Sequence, residues 1–588
     1  MSIAQKLKNI IETALGNLGI SGVNFTLEHP TELSHGDFAC NVAMVAAKQV
    51  GKNPKVLAEE IIAEILKING ATPLLLPRGG AGGGVLEEVR SAGPGFINFK
   101  LAKSFFEQEI PSISNSETLS TIVERVVPAG NRVRLFGESN IHAGQKILVE
   151  HSSPNLFKPF HVGHMMNNAI GESLTRLMKF SGAEVRTMSF PSDISLGIAK
   201  AIFILLEKNP EISIQSLGDA YVEGTKRYEE EESIHVRVKE IADNLYAQKD
   251  SPEWRAFNVC KNFNIEYFEQ VVARLGSTFD SYVYESEAGE QGKEIVLKNT
   301  PAVFTESEGA IVYIPEESKK HISTSVFINS QGNPTYEAKD IGLLAIKFDR
   351  EHPDLSLFVT DYQQISHFDA VLDAAEKINK QWSDNSVHIP HGRMSFKGQK
   401  MSSRLGGVPL ATEILETIVE EVRERSGDRN IDNETMDAIA VGAIKFAILR
   451  AKPGQNINFD PETSLSFEGD SGPYLQYTHA RITSLLEKGA GLGITPKYHG
   501  GQDVSDVERI VYRLPGIVEN AITEYAPQYV VTYLLQVAQA FNAYYAVNTI
   551  VDAENPEISA HRLAIAQAVQ VVIKNGLWLL GIKAPERM

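Results

Sequence analysis

Cysteine is almost missing from this chain: Cys40 and Cys260 are the only two in 588 residues. Two thiols cannot build a disulfide framework, so a reducing compartment is expected, and they cannot supply a thiolate cluster for zinc. Long apolar runs are missing too. None reaches the ~18 residues that a membrane span requires. The first twenty residues space Ile3, Leu7, Ile10, Ile11, Leu15 and Leu18 as one face of an amphipathic helix, which fits a folded domain rather than a signal or transit peptide. The cytoplasm is the expected location. Basic residues are outnumbered, 56 Lys and Arg against 74 Asp and Glu, for a net charge of −18. That excludes indiscriminate binding to nucleic acid but leaves a local basic surface open.

What is present suits a large α/β multidomain protein. The length suggests roughly three or four domains, and 43% hydrophobic residues suffice for several cores. Residues 1–110 carry helical patterns at Ser2 to Leu18 and Asn53 to Ile68, then Gly93-Pro-Gly-Phe-Ile-Asn98. Between these lies Gly79 to Gly84, which no Lys-Ser or Lys-Thr follows, so it reads as a loop and not as a phosphate cradle. Residues 111–145 link to the next block. From 146 to 454 apolar strands (Ile147 to Val149, Ser325 to Ile328, Leu355 to Thr360) alternate with helical patterns (Val162 to Phe180, Asp340 to Arg350, Phe368 to Ile378), as a Rossmann-like parallel sheet with crossover helices would. Residues 455–588 are helical, with long patterns at Tyr529 to Tyr545 and Ala560 to Leu580. There Tyr477, Arg481 and Tyr545 stand among other polar and aromatic residues. Such side chains either stack on single-stranded bases or pack helix against helix.

The chemistry concentrates at two strings. His161-Val162-Gly163-His164 stands where a strand passes through a proline-marked loop into an amphipathic helix. The first turn of such a helix presents unpaired N–H groups and the positive end of its dipole, so it favours phosphate. Gly398-Gln-Lys-Met-Ser-Ser-Arg404 is cationic and rich in hydroxyls, as a loop that wraps a triphosphate should be. Two histidines three apart also occur as zinc ligands or as ordinary polar residues of a helix start. Zinc is disfavoured because a catalytic site needs about three protein ligands and no third is evident.

In this order the two strings resemble the signatures of class I aminoacyl-tRNA synthetases. His35 to Met44, the Gly-Phe-Ile-Asn run and the helical third block, down to Pro585-Glu-Arg-Met588, resemble arginyl-tRNA synthetases in particular, and the likeness covers nearly the whole chain. The resemblance implies an N-terminal additional domain that grips tRNA, a Rossmann-like catalytic domain and an all-helical anticodon-binding domain. It implies ATP-dependent activation of L-arginine, with Mg²⁺ accompanying ATP and no zinc, transfer to the 2′-hydroxyl of the terminal adenosine of tRNA(Arg), and a monomer. Catalytic roles then fall to His161, His164, Lys400 and Ser402, and ATP contacts to these with Gly163, Met401 and Arg404. Arginine would be bound by Glu150, Ser153, Asn155, Tyr336, Asp340 and Gln364. A guanidinium needs negative, planar partners, and Tyr336 and Asp340, four apart, share a helix face. Contacts to tRNA would come from Phe96 and Asn98, alternate residues of a strand-like run, and from Tyr477, Arg481, Tyr545 and Met588.

The chain departs from the family at two places. Ser403 replaces the second lysine of the general loop, and of the usual motif only Asp193 and Gly197 remain in Ser189 to Gly197. Three rival readings stay open on sequence alone: a nucleotidylyltransferase of the same superfamily, another class I synthetase such as the cysteinyl enzyme, and a non-catalytic RNA-binding relative.

Overall fold

The computed structural model describes residues 3–71, 85–116, 135–319, 321–397, 410–427 and 431–588. The Gly79 to Gly84 loop lies outside them. The N-terminal helix runs Ile3–Asn17 and buries Leu7, Ile11, Ala14 and Leu15, the stripe that its sequence spacing requires. With helices Val42–Val50 and Pro54–Ala71 it covers a four-stranded antiparallel sheet of β1 (Leu27–Glu28), β2 (Phe38–Cys40), β3 (Leu86–Ala92) and β4 (Phe96–Leu101), in the order β1-β2-β4-β3. The Val42–Val50 helix escapes a reading by periodicity, because its apolar and alanine residues leave almost no polar face.

The middle block is built on a five-stranded parallel sheet. Its strands are β5 (Lys146–Glu150), β6 (Glu184–Ser189), β7 (Ser281–Tyr282), β11 (Leu355–Asp361) and β12 (Ser386–His391), and their order is β12-β11-β5-β6-β7. Strand β5 is central, and helix Val162–Phe180 is the crossover to β6. The strands run in the same direction, so β5, β11 and β12 all deliver their carboxyl ends to one edge. That edge is where such sheets bind ligands.

One expectation needs correction here. Ser325–Ile328 is a strand (β10), but it belongs to a separate antiparallel sheet with β8 (Thr305–Ser307) and β9 (Ala310–Tyr313). The hairpin turning at Gly309, whose φ is +78°, offers β10 an antiparallel edge. Hydrophobic patterning locates a strand without naming its partner. A short parallel pair, β13 (Met394–Phe396) with β14 (Ile457–Phe459), closes the block.

The third block consists mainly of helices, among them Gly472–Gly491, Gln528–Val547 and Pro556–Leu579. Its chain end is fastened to the middle block through backbone carbonyls at and just beyond the end of the last helix. Ser173 Oγ donates to Leu579 (2.8 Å), Arg176 to Trp578 (2.9 Å) and Lys445 Nζ to Gly581 (2.9 Å). The first and third blocks meet as well: buried Asp37 accepts from the Leu101 N–H at 2.7 Å and pairs with Arg509 at 2.8 Å.

Candidate active site

Strand β5 ends at Glu150, and the chain needs ten residues to reach the N-cap of the next helix, His161. Ser152 sits there at φ +57°, a strained value for a residue other than glycine. Two asparagines of the following helix hold it: Asn167 Oδ1 accepts from the Ser152 N–H (2.6 Å), and Asn168 donates to its hydroxyl (3.1 Å). Asn167 also donates to the Val359 carbonyl of β11 at 2.5 Å, which locks loop, helix and sheet together.

The two histidines form a reciprocal cap. His161 Nδ1 accepts from the Gly163 N–H (3.1 Å), and His164 Nδ1 accepts from the His161 N–H (3.2 Å). An N–H can be accepted only by a ring nitrogen that carries no proton, so both rings are fixed with the proton on Nε2. They stack with centroids 3.8 Å apart. Burial, with the positive Lys158 beside His161 and the neighbouring imidazole beside His164, holds both pKa values below the ordinary histidine range, His164 furthest. Two neutral N–H donors therefore stand at a helix N-terminus. Gly163 suits the same packing: a Cβ there would lie 3.0 Å from His161 Cε1, a tight contact.

Lys400, Met401, Ser402 and Arg404 lie outside the described residues. What flanks their segment is described. Leu410 bridges to His161, and the Ala411 N–H donates to the Phe160 carbonyl at 2.9 Å. On the other side the chain leaves β12 at His391, whose Nδ1 donates to the Gly392 carbonyl at 2.7 Å and whose charge, were it protonated, would depress both signature histidines. The sequence reading missed His391; its place at a strand end on the binding edge is the signal that marks it.

The expected arginine ligands gather around the same edge with unequal freedom. Tyr336 opens helix Tyr336–Arg350 and is exposed, and Asp340 lies one turn on. Gln364 is exposed in the short turn that follows β11, and Asn155 is exposed where it bridges to Ser192. The Ser153 hydroxyl accepts from the Phe190 N–H at 3.1 Å. Glu150 is buried in an ion pair with buried Lys347. Asp340 accepts from His367 Nε2 at 2.6 Å, and Glu337 lies 3.6 Å from His367 Nδ1. Burial opposes charge on His367, but the two carboxylates outweigh it and raise its pKa to about 9. Neither Lys347 nor His367 was singled out from sequence, because each is defined by a partner distant in the chain.

The divergent stretch forms a wall of the loop. Ser189 Oγ donates to the Ser152 carbonyl (3.1 Å), the Ser192 N–H donates to Pro154 (2.9 Å), and the Leu156 N–H donates to Ser192 (3.0 Å). Buried Asp193 accepts from Lys261 (2.9 Å) and from Ser286 Oγ (2.8 Å).

Residues 131–460 match the family of class I tRNA synthetases (R), catalytic domain. The chain belongs to the arginyl-tRNA synthetases. Residues 2–101 match the arginyl-tRNA synthetase N-terminal domain and 475–588 the DALR anticodon-binding domain. The arginine–tRNA ligase of Clostridium perfringens is 29% identical across the full chain and 99% of its own length, and that of Alkaliphilus metalliredigens is 28% identical across 99% of both. In fold the chain is similar to arginyl-tRNA synthetase from Thermus thermophilus, with a TM-score of 0.76 at 23% identity over the whole of both chains. It is similar also to that of Plasmodium falciparum, with a TM-score of 0.77 at 20% identity over 100% and 99% of the two chains. As an arginyl-tRNA synthetase the protein is an ATP-dependent ligase that charges tRNA(Arg) for translation.

The arginyl-tRNA synthetase domains at either end place the expected tRNA residues differently. Arg481 lies between two rings, 4.8 Å from the centroid of Tyr477 and 5.3 Å from that of Tyr545, and donates to Asn542 at 2.6 Å. Three residues chosen singly from sequence thus form one cluster. Met588 packs partly buried against the core. Phe96 is 37% exposed at the start of β4, whereas Asn98 is only 5% exposed inside the sheet, paired in register with Ala39 and Arg90. Alternation puts both on one face, but Asn98 is buried in mid-strand whereas Phe96 stands at the strand's start. No group of three or more metal-ligating side chains occurs among the described residues, and none of their helices is long and apolar enough to cross a membrane.

Proposed function

We propose that the edge of the parallel sheet at β5, β11 and β12 is where arginine and ATP react in this chain. The arginine carboxylate attacks the α-phosphorus of ATP, the bond to the β-phosphate breaks, and pyrophosphate leaves. His161 and His164 donate through Nε2–H to oxygens that gain charge in the transition state, with the helix N-terminus behind them. Gly163 keeps the approach open. Lys400, Ser402, Met401 and Arg404 take the departing phosphates, with Mg²⁺ arriving on the nucleotide. Asp340 receives the guanidinium, and Tyr336, Gln364, Ser153, Asn155 and Glu150 line the amino-acid side. In the second step the 2′-hydroxyl of the terminal adenosine attacks the arginyl carbonyl and AMP departs. Phe96 and Asn98 in residues 1–110, and Tyr477, Arg481, Tyr545 and Met588 in residues 455–588, hold the tRNA on either side of the catalytic block at 146–454. The protein acts as a monomer in the cytoplasm, a compartment that suits its two buried free cysteines.

The observation that supports this reading best is the reciprocal cap, which commits both imidazoles to Nε2–H before any ligand arrives. ATP–pyrophosphate exchange with each amino acid, with and without tRNA, tests it. Exchange should appear with arginine when tRNA(Arg) is present. Exchange driven by another amino acid, or one tightly held zinc per chain that is lost in His164→Ala, would overturn it.

A further inference from the structure

The carboxylates around the amino-acid pocket are unequally matched with cations. Glu150 of β5 has Lys347, and Glu285 at the start of helix Glu285–Lys298 has Lys339 at 2.7 Å. Asp340 and Glu337, one turn apart on helix Tyr336–Arg350, share one cationic partner among the described residues, His367 of the helix after β11. With that imidazole protonated, the group as a whole carries one negative charge in excess. That is the complement of one guanidinium, and it resides on Asp340 and Glu337.

Resting on the pocket reading above, we propose that His367 is a positioning residue for arginine: gripped by Glu337 through Nδ1, it presents Asp340 through Nε2 as a carboxylate to the guanidinium. The geometry makes the role specific. One ring bridges two carboxylates of one helix, so it fixes the Asp340 rotamer and leaves its second oxygen for the substrate. Electrostatics give the role a second part. Asp340 is pushed up by burial and by the negative charges of Glu150 and Glu285, and His367 counteracts that rise. Of the groups that face His367, Asp340 and Glu337 favour its charge, whereas His388 of β12, itself lowered to about 4, is kept neutral beside it. Without the imidazolium, Asp340 would take up a proton more readily and lose its hold on a cation as pH falls.

The test is the arginine KM of His367→Gln from pH 6 to 8.5, measured by tRNA-dependent ATP–pyrophosphate exchange beside the wild type and Asp340→Asn. The wild-type value should stay flat over this range. In His367→Gln it should be raised about tenfold at pH 6 and move toward the wild-type value as pH rises, while the ATP KM and the kcat at saturating arginine change little. An arginine KM unaltered in His367→Gln but raised in Asp340→Asn would overturn the inference and leave the pocket reading standing. An unaltered KM in Asp340→Asn would overturn both. Equal increases in the arginine and ATP KM, independent of pH, would mark a structural role and also overturn the inference. Should His367→Gln fail to fold by circular dichroism, Glu337→Gln carries the test, since it removes the excess charge. It should raise the arginine KM several-fold, and no change would overturn the proposal.

Discussion

The proposed phosphate side and the proposed amino-acid side of this site hold the same kind of side chain in opposite charge states. At the helix start, His161 and His164 accept backbone N–H groups and are stripped of charge by burial, so they offer neutral donors. Across the sheet edge, His367 is partly buried like His161, yet two carboxylates raise its pKa to about 9. Burial pushes all three rings toward neutrality, and only at His367 do partners, its two carboxylates, overturn it. The linkage has opposite signs accordingly. His367 contributes to stability fully below the ordinary value of 6.5, and that contribution fades as pH rises through about 9. His161 and His164 cost stability as pH falls below 6.5, because the unfolded chain then binds protons that the folded one refuses. On the proposed reading, a neutral pair supplies N–H groups to ATP without carrying a charge of its own. A charged histidine lets two close carboxylates coexist in the other half without one of them becoming neutral.

The contrast can be broken from either side. The largest effect is expected at the phosphate half: His164→Ala removes a preorganised donor, which typically costs ~10²–10³ in rate. Steady-state kinetics should show that loss in kcat with the ATP KM nearly unchanged. At the amino-acid half, Asp340→Asn should raise the arginine KM roughly tenfold or more, the size of a charge-assisted hydrogen bond of ~1.5–3 kcal/mol. ATP affinity should hardly move. Smallest, and remote from both halves, is Phe96→Ala. A stacked base contributes ~1–3 kcal/mol, so filter binding should show tRNA(Arg) affinity reduced about tenfold while the KM values for arginine and ATP stay put. If Phe96→Ala shifted the arginine KM as much as Asp340→Asn does, the separation of tRNA grip from the pocket would fail.

The two halves were also unequally legible. His161 and His164 stand three apart in one string that opens a helix, so both residues were legible in the sequence. The proposed amino-acid pocket draws on β5, the helix at 336–350 and the segment after β11. Each candidate there was visible, but its charge state was not. Glu150 was expected to bind arginine, and nothing in the sequence named Lys347, nearly two hundred residues later, as its ion-pair partner. Asp340 was implied by the resemblance and supported by its spacing from Tyr336, whereas His367, three residues beyond Gln364, received no role. The strand at 325–328 shows the same limit at the level of fold, since its pattern was right and its sheet was not. At the anticodon end the reverse happened: Tyr477, Arg481 and Tyr545, spread over nearly seventy residues, came together as one cluster because each lies on the exposed side of a long helix.

The claim that one fold holds two imidazoles neutral and a third charged is tested most directly by long-range ¹H–¹⁵N NMR on protein labelled at histidine nitrogens, with single substitutions to assign the three rings. From pH 6 to 8.5, His161 and His164 should show the neutral form protonated at Nε2, and His367 should show the imidazolium, losing its proton only near pH 9. A signature histidine titrating close to 6.5, or His367 already neutral at pH 7, would contradict the account.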